Sequence, residues 1–532
     1  MTNKLELVWL DKEKRINVEP RILIEQPQLS YKKDFTSLLD NTNLTDNILI
    51  HGDNLIGLKA LLPNYAGRVK CVFIDPPYNT GSAFEHYDDN LEHSIWLSLM
   101  RERLAILKQL LSKNGTIWIV LDDSELHYCK VLCDEIWGRK NFIADLTWNS
   151  RKSVSNDAII SLNTNHILVY ATDIEIIRQL SKKSELFKGP IDESKFSNPD
   201  NDPRGKWVAD PFDAPNIRPN LTYPITNPNT GAVYMPPEGR CWRTTPEKYQ
   251  EALADGRIVF GKTGTSKPQM KRFLSECGDK GAVMTTLWDD LDTTTNATKH
   301  SQKMFGKSFT NPKPENLIQR VLQLATKPGD IVLDSFLGSG TTVAVAHKMR
   351  RHWIGIEMGN QAYDYCKKRM DLIIDGNEPG GITKDVDWNG GGGYKFYELA
   401  PTLINEDAFG QSVINKEYNS EMLASAIAIH EGFKYEPDKD CYWKQSKNDN
   451  NTYLYVTTNH LNEVILNGIR AEMKDDEFLV IVCKSYDEAL KHYSKNITIK
   501  KIPQSLLKNC EFGADNYNLN IICPPEYEEE DE

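Results

Sequence analysis

Apolar runs of strand length alternate with amphipathic stretches in two separate parts of the chain. Between residues 48 and 130, NILIHGD reads as a strand, LIGLKALLP as a helix and KCVFIDPPY as a strand ending in a turn. Ser94 to Leu111 is amphipathic with helical spacing, and GTIWIVLDD is a further buried strand. Nearly continuous apolar strands separated by helical periodicity predict a parallel sheet covered on both faces. The alternation returns with Glu315 to Ala325 as helix, DIVLDSFLGSG as strand and turn, TTVAVAHKM as helix and HWIGIEM as strand. Residues 150–305 differ, with Pro, Asn, Thr and aromatics interleaving short alternating runs such as HILVY. That stretch predicts an inserted domain of irregular β character that splits one α/β domain. The glycines at 390–393 and Pro401 mark a boundary before a small α/β domain, with YLYVTTNH and EFLVIVCKS as its strands. The segments expected are an extension over 1–44, a first α/β part over 45–150, an insert over 151–309, a second part over 310–400 and an acidic domain over 401–532.

Composition narrows the class. The 532 residues are 40% hydrophobic and 26% charged, enough apolar material for a large core. No stretch approaches the ~18 consecutive apolar residues of a membrane helix. The opening MTNKLELVWLDKEKR places charges where a secretory signal would be apolar, so a cytoplasmic protein is expected. Ten cysteines are scattered; Cys129 and Cys133 share a helix face, but no second close pair completes a zinc site. Reduced thiols and no metal are expected. The net charge of −12 is uneven, since residues 401–532 hold 13 Lys/Arg against 24 Asp/Glu. The acidic end, with Glu526 and the run from Glu528 to Glu532, therefore does not exclude a basic cleft elsewhere.

Two motifs carry chemistry. Asp75-Pro76-Pro77-Tyr78 follows the strand CVFI, at the strand end where open α/β sheets bind ligands. Two prolines remove two N–H donors, and an ionised Asp only accepts. Such a loop suits a substrate that donates two hydrogens, such as an exocyclic amine, with Tyr78 as a stacking face. The second motif is Asp334-Ser335-Phe336-Leu337-Gly338-Ser339-Gly340-Thr341-Thr342, again between strand and helix. Its glycines allow close approach of a ligand to backbone, and the helix start offers free N–H groups. The third glycine of the dinucleotide fingerprint is absent, Val343 standing there, while Glu357 ends the next strand where an acid binds ribose hydroxyls. A nucleoside cofactor without a pyrophosphate fits this pattern.

DPPY before FLGSG, separated by a large insertion, resembles the β group of amino-methyltransferases that modify DNA. IDPPYNTG with Tyr87-Asp88 downstream, the aromatic insert and the helix from Lys313 to Ala325 are most similar to modification subunits of type III restriction–modification systems. The resemblance covers residues 45–400. It implies a doubly wound, Rossmann-like methyltransferase sheet interrupted by an inserted target-recognition domain, plus a small α/β C-terminal domain. It also implies S-adenosylmethionine as cofactor and double-stranded DNA as partner, with a homodimer and a separate restriction subunit as further partners and no membrane. Asp75, Pro76, Pro77 and Tyr78 would be the catalytic loop. Asp334, Ser335, Phe336, Gly338, Ser339, Gly340 and Thr341 would cradle the cofactor, Glu357 would meet its ribose and Asp53 would lie beside its adenine. Leu337 departs from the family, where a small residue often precedes the first glycine. Within the family an initial Asp accompanies adenine and an initial Ser cytosine, so Asp75 implies transfer to N6 of a flipped-out adenine.

Three rival readings follow from the same residues. One is a cytosine-N4 enzyme of the same fold, and another a catalytically dead recognition subunit that guides a nuclease. The third is a P-loop ATPase, since Gly256-Arg257-Ile258-Val259-Phe260-Gly261-Lys262-Thr263 matches the Walker A pattern. Its central apolar residues read as a strand, however, and Pro268 interrupts the place where the required helix would start. Sequence selection is expected from the insert, with Arg151, Lys152, Arg204, Lys206, Arg218, Arg240, Arg243, Lys271 and Arg272 interleaved with Trp207, Tyr223 and Trp242.

Overall fold

The computed structural model describes residues 6–506, apart from 11, 14–16, 35–43, 79–92, 156–157, 190, 262, 278–280, 307–308, 379, 407–408, 410, 449–450 and 503–505. Tyr87, Asp88, Lys262 and the acidic end lie outside the described residues. The chain divides into two units, one formed by residues 1–179 with 285–532 and the other by residues 180–284.

The first unit is built on a mixed eleven-stranded sheet. Its main strands, in chain order, are β1 (Asn47–His51), β2 (Val69–Ile74), β3 (Leu111–Leu121), β4 (Phe142–Asn149), β5 (Thr164–Ala171), β6 (Ile331–Asp334), β7 (His352–Glu357) and β8 (Gly392–Leu399). Their lateral order is β8-β1-β7-β6-β2-β3-β5-β4, with Leu23–Glu25 beyond β8 and Leu287–Trp288 beyond β4. From β8 to β3 all neighbours run parallel, whereas β5 is antiparallel to both β3 and β4. All six residues of β2 are buried, as the apolar run VKCVFI requires of a strand covered on both faces.

Seven helices position the features that matter below: α1 (Asn54–Tyr65), α2 (His93–Leu110), α3 (Leu126–Cys133), α4 (Thr294–Phe305), α5 (Glu315–Ala325), α6 (Thr341–Lys348) and α7 (Lys368–Asp375). α1 starts where the Asp53 carboxylate accepts the N–H groups of Leu55 at 2.7 Å and Ile56 at 3.4 Å. α5 buries Leu317, Ile318, Val321, Leu322 and Leu324, the apolar face read from its spacing. The chain leaves β2 toward β3 but leaves β6 toward β7, in opposite directions. A crevice therefore opens between β2 and β6 at their C-terminal ends.

HILVY lies within the stretch read as insert, yet it forms part of β5 and extends the main sheet. An antiparallel strand needs no crossover helix, so it carried no βαβ signature. Residues 180–284 form the second unit around Phe212, Ile225, Trp242, Tyr249, Ile258 and Phe260. Its three small described sheets include Trp207–Pro211, Gln269–Phe273 and Ile258–Val259 paired antiparallel. Residues 401–506 hold a five-stranded sheet whose long strands Thr452–Leu461 and Phe478–Tyr486 run parallel. No described helix is long and apolar enough to cross a membrane.

Below the crevice, α5, α6 and α7 meet through buried charges. The Glu315 carboxylate accepts from Lys348 Nζ at 2.7 and 3.0 Å, from Arg369 Nη2 at 2.6 Å and from the Ile382 N–H at 2.9 Å. Burial alone would raise this carboxyl, but Lys348 and Arg369 outweigh it and hold it far below the ordinary carboxylate range. Glu315→Ala leaves the buried Lys348 and Arg369 with Glu378 as their remaining carboxylate partner and should destabilise the protein by about 3–5 kcal/mol at pH 7. Because the folded-state value is depressed, the difference from wild type should shrink as the pH falls below about 4. Urea unfolding followed by circular dichroism checks this; equal stabilities at pH 7 would contradict it.

Candidate active site

The first motif emerges from the C-terminal end of β2. Asp75 directly follows the strand, Pro76 is buried, and the Trp96 indole of α2 donates to the Pro77 carbonyl at 2.7 Å. Asp75 Oδ1 accepts from the Tyr78 hydroxyl at 2.7 Å. Oδ2 accepts from the ammonium of Lys313, just ahead of α5. That ammonium also lies 5.2 Å from the Tyr78 ring centroid. The loop thus presents a carboxylate, an aromatic face and a cation within one small volume.

The glycine loop leaves β6 and enters α6. The buried Asp334 carboxylate accepts from the Phe336 N–H at 2.9 Å and the Thr342 hydroxyl at 2.6 Å, tying both ends of the loop together. Gly338 and Gly340 have φ of 56° and 78°, a left-handed backbone that side chains disfavour. Glu357 stands behind them, taking the Gly338 N–H at 2.6 Å and the Gly359 N–H at 3.3 Å. Arg369 donates to the Thr341 hydroxyl at 2.9 Å and the Ser339 carbonyl at 3.4 Å. Leu337, the departure from the family pattern, is buried over Gly355, where a Cβ would come within 2.5 Å of its Cδ2.

Asp75, Pro76, Pro77, Tyr78, Asp334, Phe336, Gly338, Ser339 and Thr341 line one cavity, joined by Lys313, Phe309 and Asn311. The cavity occupies the crevice between β2 and β6 that the topology sets aside. Ser335, Gly340, Glu357 and Asp53 do not line it. Asp53 caps α1 and faces Arg103 at 3.4 Å, both buried. Arg103 also donates to the side chain of Asn54, whose amide holds the Ser335 carbonyl at 2.7 Å. Asp53 thus reaches the glycine loop through its neighbours. The segment 309–313 was not singled out as a site, although NPKPE offered a signal: a lysine fixed between Pro312 and Pro314 before an amphipathic helix.

In the second unit, most basic residues named from sequence are engaged by acids. Arg204 pairs with Asp202 and Asp255, and Lys271 is buried on Asp200 and Asp202. Arg240 pairs with Asp213, Arg272 lies 2.9 Å from Asp210, and Arg243 reaches the same acid at 4.0 Å. Trp242 is buried and Trp207 donates to Asp200. Lys206 and Arg218 are exposed, as are Arg151 and Lys152 of the first unit. The Walker A match falls on strand Ile258–Val259, after a helix that ends beside Gly256, and the next described element is strand Gln269–Phe273. The helix a phosphate loop needs is thus missing among the described residues.

The architecture is an open, doubly wound α/β sheet with its crevice at the switch point. A family model described as DNA methylase matches residues 69–368, more than half of the chain, and the chain belongs to that family. It is 32% identical over 418 residues to a probable type III restriction-modification enzyme HindVI Mod subunit of Haemophilus influenzae, covering 68% of this chain and 55% of that protein. It is 31% identical over 371 residues to the type III enzyme StyLTI Mod subunit of Salmonella typhimurium, covering 64% and 55%. The chain therefore spans about half the length of these two relatives. Type II methyltransferase M.EcaI of Enterobacter cloacae is 29% identical over 426 residues, covering 77% of this chain and 86% of that one.

Burial raises the Asp334 carboxyl to about 7, and Asp75 and Glu357 add to the rise against the opposing hydrogen bonds from Thr342 and Phe336. A raised carboxyl contributes stability below its unfolded value of about 4 that is lost as pH climbs through 7. Asp334→Asn should remove that dependence, gaining roughly 2–4 kcal/mol on wild type between pH 4 and pH 8. Parallel pH-dependent unfolding curves for the two proteins would contradict the assignment.

Proposed function

We propose that the protein is a site-specific DNA methyltransferase that moves a methyl group from S-adenosylmethionine to N6 of a flipped-out adenine. We further propose that it serves as the modification and recognition subunit of a type III restriction–modification system, with cleavage supplied by a separate restriction subunit. The observation that carries the reading is the meeting of the Asp75 loop and the Gly338 loop in one cavity.

The residues present fit the cofactor. A Cβ on Gly338 would point across the cavity to within 3.5 Å of the Phe309 ring, so glycine keeps that space clear. Ser339 and Thr341 line the cavity and add hydroxyls at the start of α6. Gly338, Ser339 and Thr341 would hold S-adenosylmethionine, with Glu357 and Asp53 shaping the cradle from behind. When bound, it supplies the methyl group.

The protein's own groups do the rest. An adenine paired in a duplex hides its amine, so the base must leave the stack. Asp75 and the Pro76 carbonyl accept the two N6 hydrogens and aim the nitrogen lone pair across the cavity, while Tyr78 supports the ring. Positioning of this kind accounts for much of the rate gain in a direct displacement. The double-stranded DNA partner is read by groups outside this cavity. Lys206 and Arg218 are the leading candidates from the insert, because acids engage most of the other cations there. A homodimer belongs to the same proposal.

Expression in a methylation-free host followed by long-read sequencing of its DNA tests the reading. A single modified adenine in one sequence context is expected, and Asp75→Ala should lower modification by several orders of magnitude. Unmodified DNA from the wild type, or modification undiminished in Asp75→Ala, would overturn it. Modified cytosine would select the N4 alternative.

A further inference from the structure

We propose that Lys313 reads the ring nitrogen beside the target amine, making Asp75 and Lys313 a two-point reader of one base edge. The inference rests on the methyl-transfer reading above and extends it to base selection.

The argument starts from the donors and acceptors in the cavity. Asp75 only accepts hydrogen bonds, and a lysine ammonium only donates. The two are in contact, and both line the cavity beside Tyr78. An acceptor next to a donor complements a base edge that presents an amine next to a bare ring nitrogen. Adenine has that edge at N6 and N1, and cytosine at N4 and N3. Guanine and thymine carry an N–H at the corresponding ring position, where an ammonium finds nothing to donate to.

The placement of Lys313 supports this use. Its side chain is 7% exposed, so its charge is largely withdrawn from water. Among the described residues its ammonium meets Asp75 Oδ2 and, at 3.4 Å, the Asn311 carbonyl, while an ammonium has three donors. At 5.2 Å from the Tyr78 centroid, it is close enough to meet the rim of a base stacked on that face. Pro312 and Pro314 flank it, and Glu315 is anchored by two cations, so its backbone cannot drift.

The test removes one atom from the DNA and one charge from the protein. Full-length wild type, Lys313→Met and Lys313→Arg are compared on duplexes holding the modified site with adenine or 1-deazaadenine at the target position. Methyl transfer is measured as kcat/KM, and duplex affinity by fluorescence anisotropy. Wild type should disfavour 1-deazaadenine by about tenfold or more, as loss of a charged hydrogen bond implies. Lys313→Met should treat the two DNAs alike within about twofold, and Lys313→Arg should keep part of the preference. Comparing each variant with itself on two DNAs cancels any loss of folded protein. If Lys313→Met transfers to neither duplex, the ratio of its two affinities decides in the same way. Undiminished discrimination by Lys313→Met, or none by wild type, overturns the inference while leaving the methyl-transfer reading intact. No transfer by wild type to either duplex overturns that reading, and this inference with it. If the modified base is cytosine, 3-deazacytosine replaces 1-deazaadenine.

Discussion

The cavity depends on one buried cluster of ion pairs at the start of α5. Glu315 gathers Lys348 of α6 and Arg369 of α7, and Arg369 in turn holds the Ser339 carbonyl and the Thr341 hydroxyl of the glycine loop. Two residues earlier, Lys313 reaches Asp75 at the end of β2. One short segment thus contacts the first motif directly and the second through Arg369, although the two motifs lie more than 250 residues apart in sequence. A buried carboxylate is costly unless paired, and pairing it with two cations from two helices leaves little freedom to any of them. The glycine loop gains a fixed backbone, and the Asp75 loop gains a fixed charge beside it.

The sheet and its crevice were legible because they rest on periodicity. Apolar runs such as VKCVFI and HWIGIE declare strands buried on both faces, and the amphipathic spacing of α2 and α5 declares the layers that cover them. Asp75 and Gly338 were legible because strand ends and glycine turns carry local signatures. Lys313 carries only the faint local signal of a lysine between two prolines, and its partner Asp75 lies 238 residues away. Asp53 shows the converse: its place after β1 was plain, but its carboxylate turns to cap α1 and face Arg103, a choice set by a cation on α2. Strand β5 falls in the stretch read as insert for a related reason, since antiparallel pairing leaves no crossover helix to mark it.

The second unit illustrates what charge counting misses. Its basic residues looked like a nucleic-acid surface in sequence, yet Lys271, Arg204 and Arg240 face acids that fold the unit. Burial of Lys271 between Asp200 and Asp202 makes it a structural cation. Exposed cations such as Arg218 and Lys206 are therefore more informative than the total.

The central claim is that the two motifs form one site with divided duties, the Gly338 loop holding the cofactor and Asp75 holding the base. Calorimetric titration of S-adenosylmethionine into wild type, Gly338→Val and Asp75→Ala separates those duties. Gly338→Val places a branched side chain on a left-handed backbone beside Phe309 and should lose cofactor binding. Asp75→Ala should bind within about threefold of wild type, because the proposed role of its carboxylate is to hold the base. Equal loss of cofactor affinity in both variants would contradict the division, as would wild-type affinity in Gly338→Val.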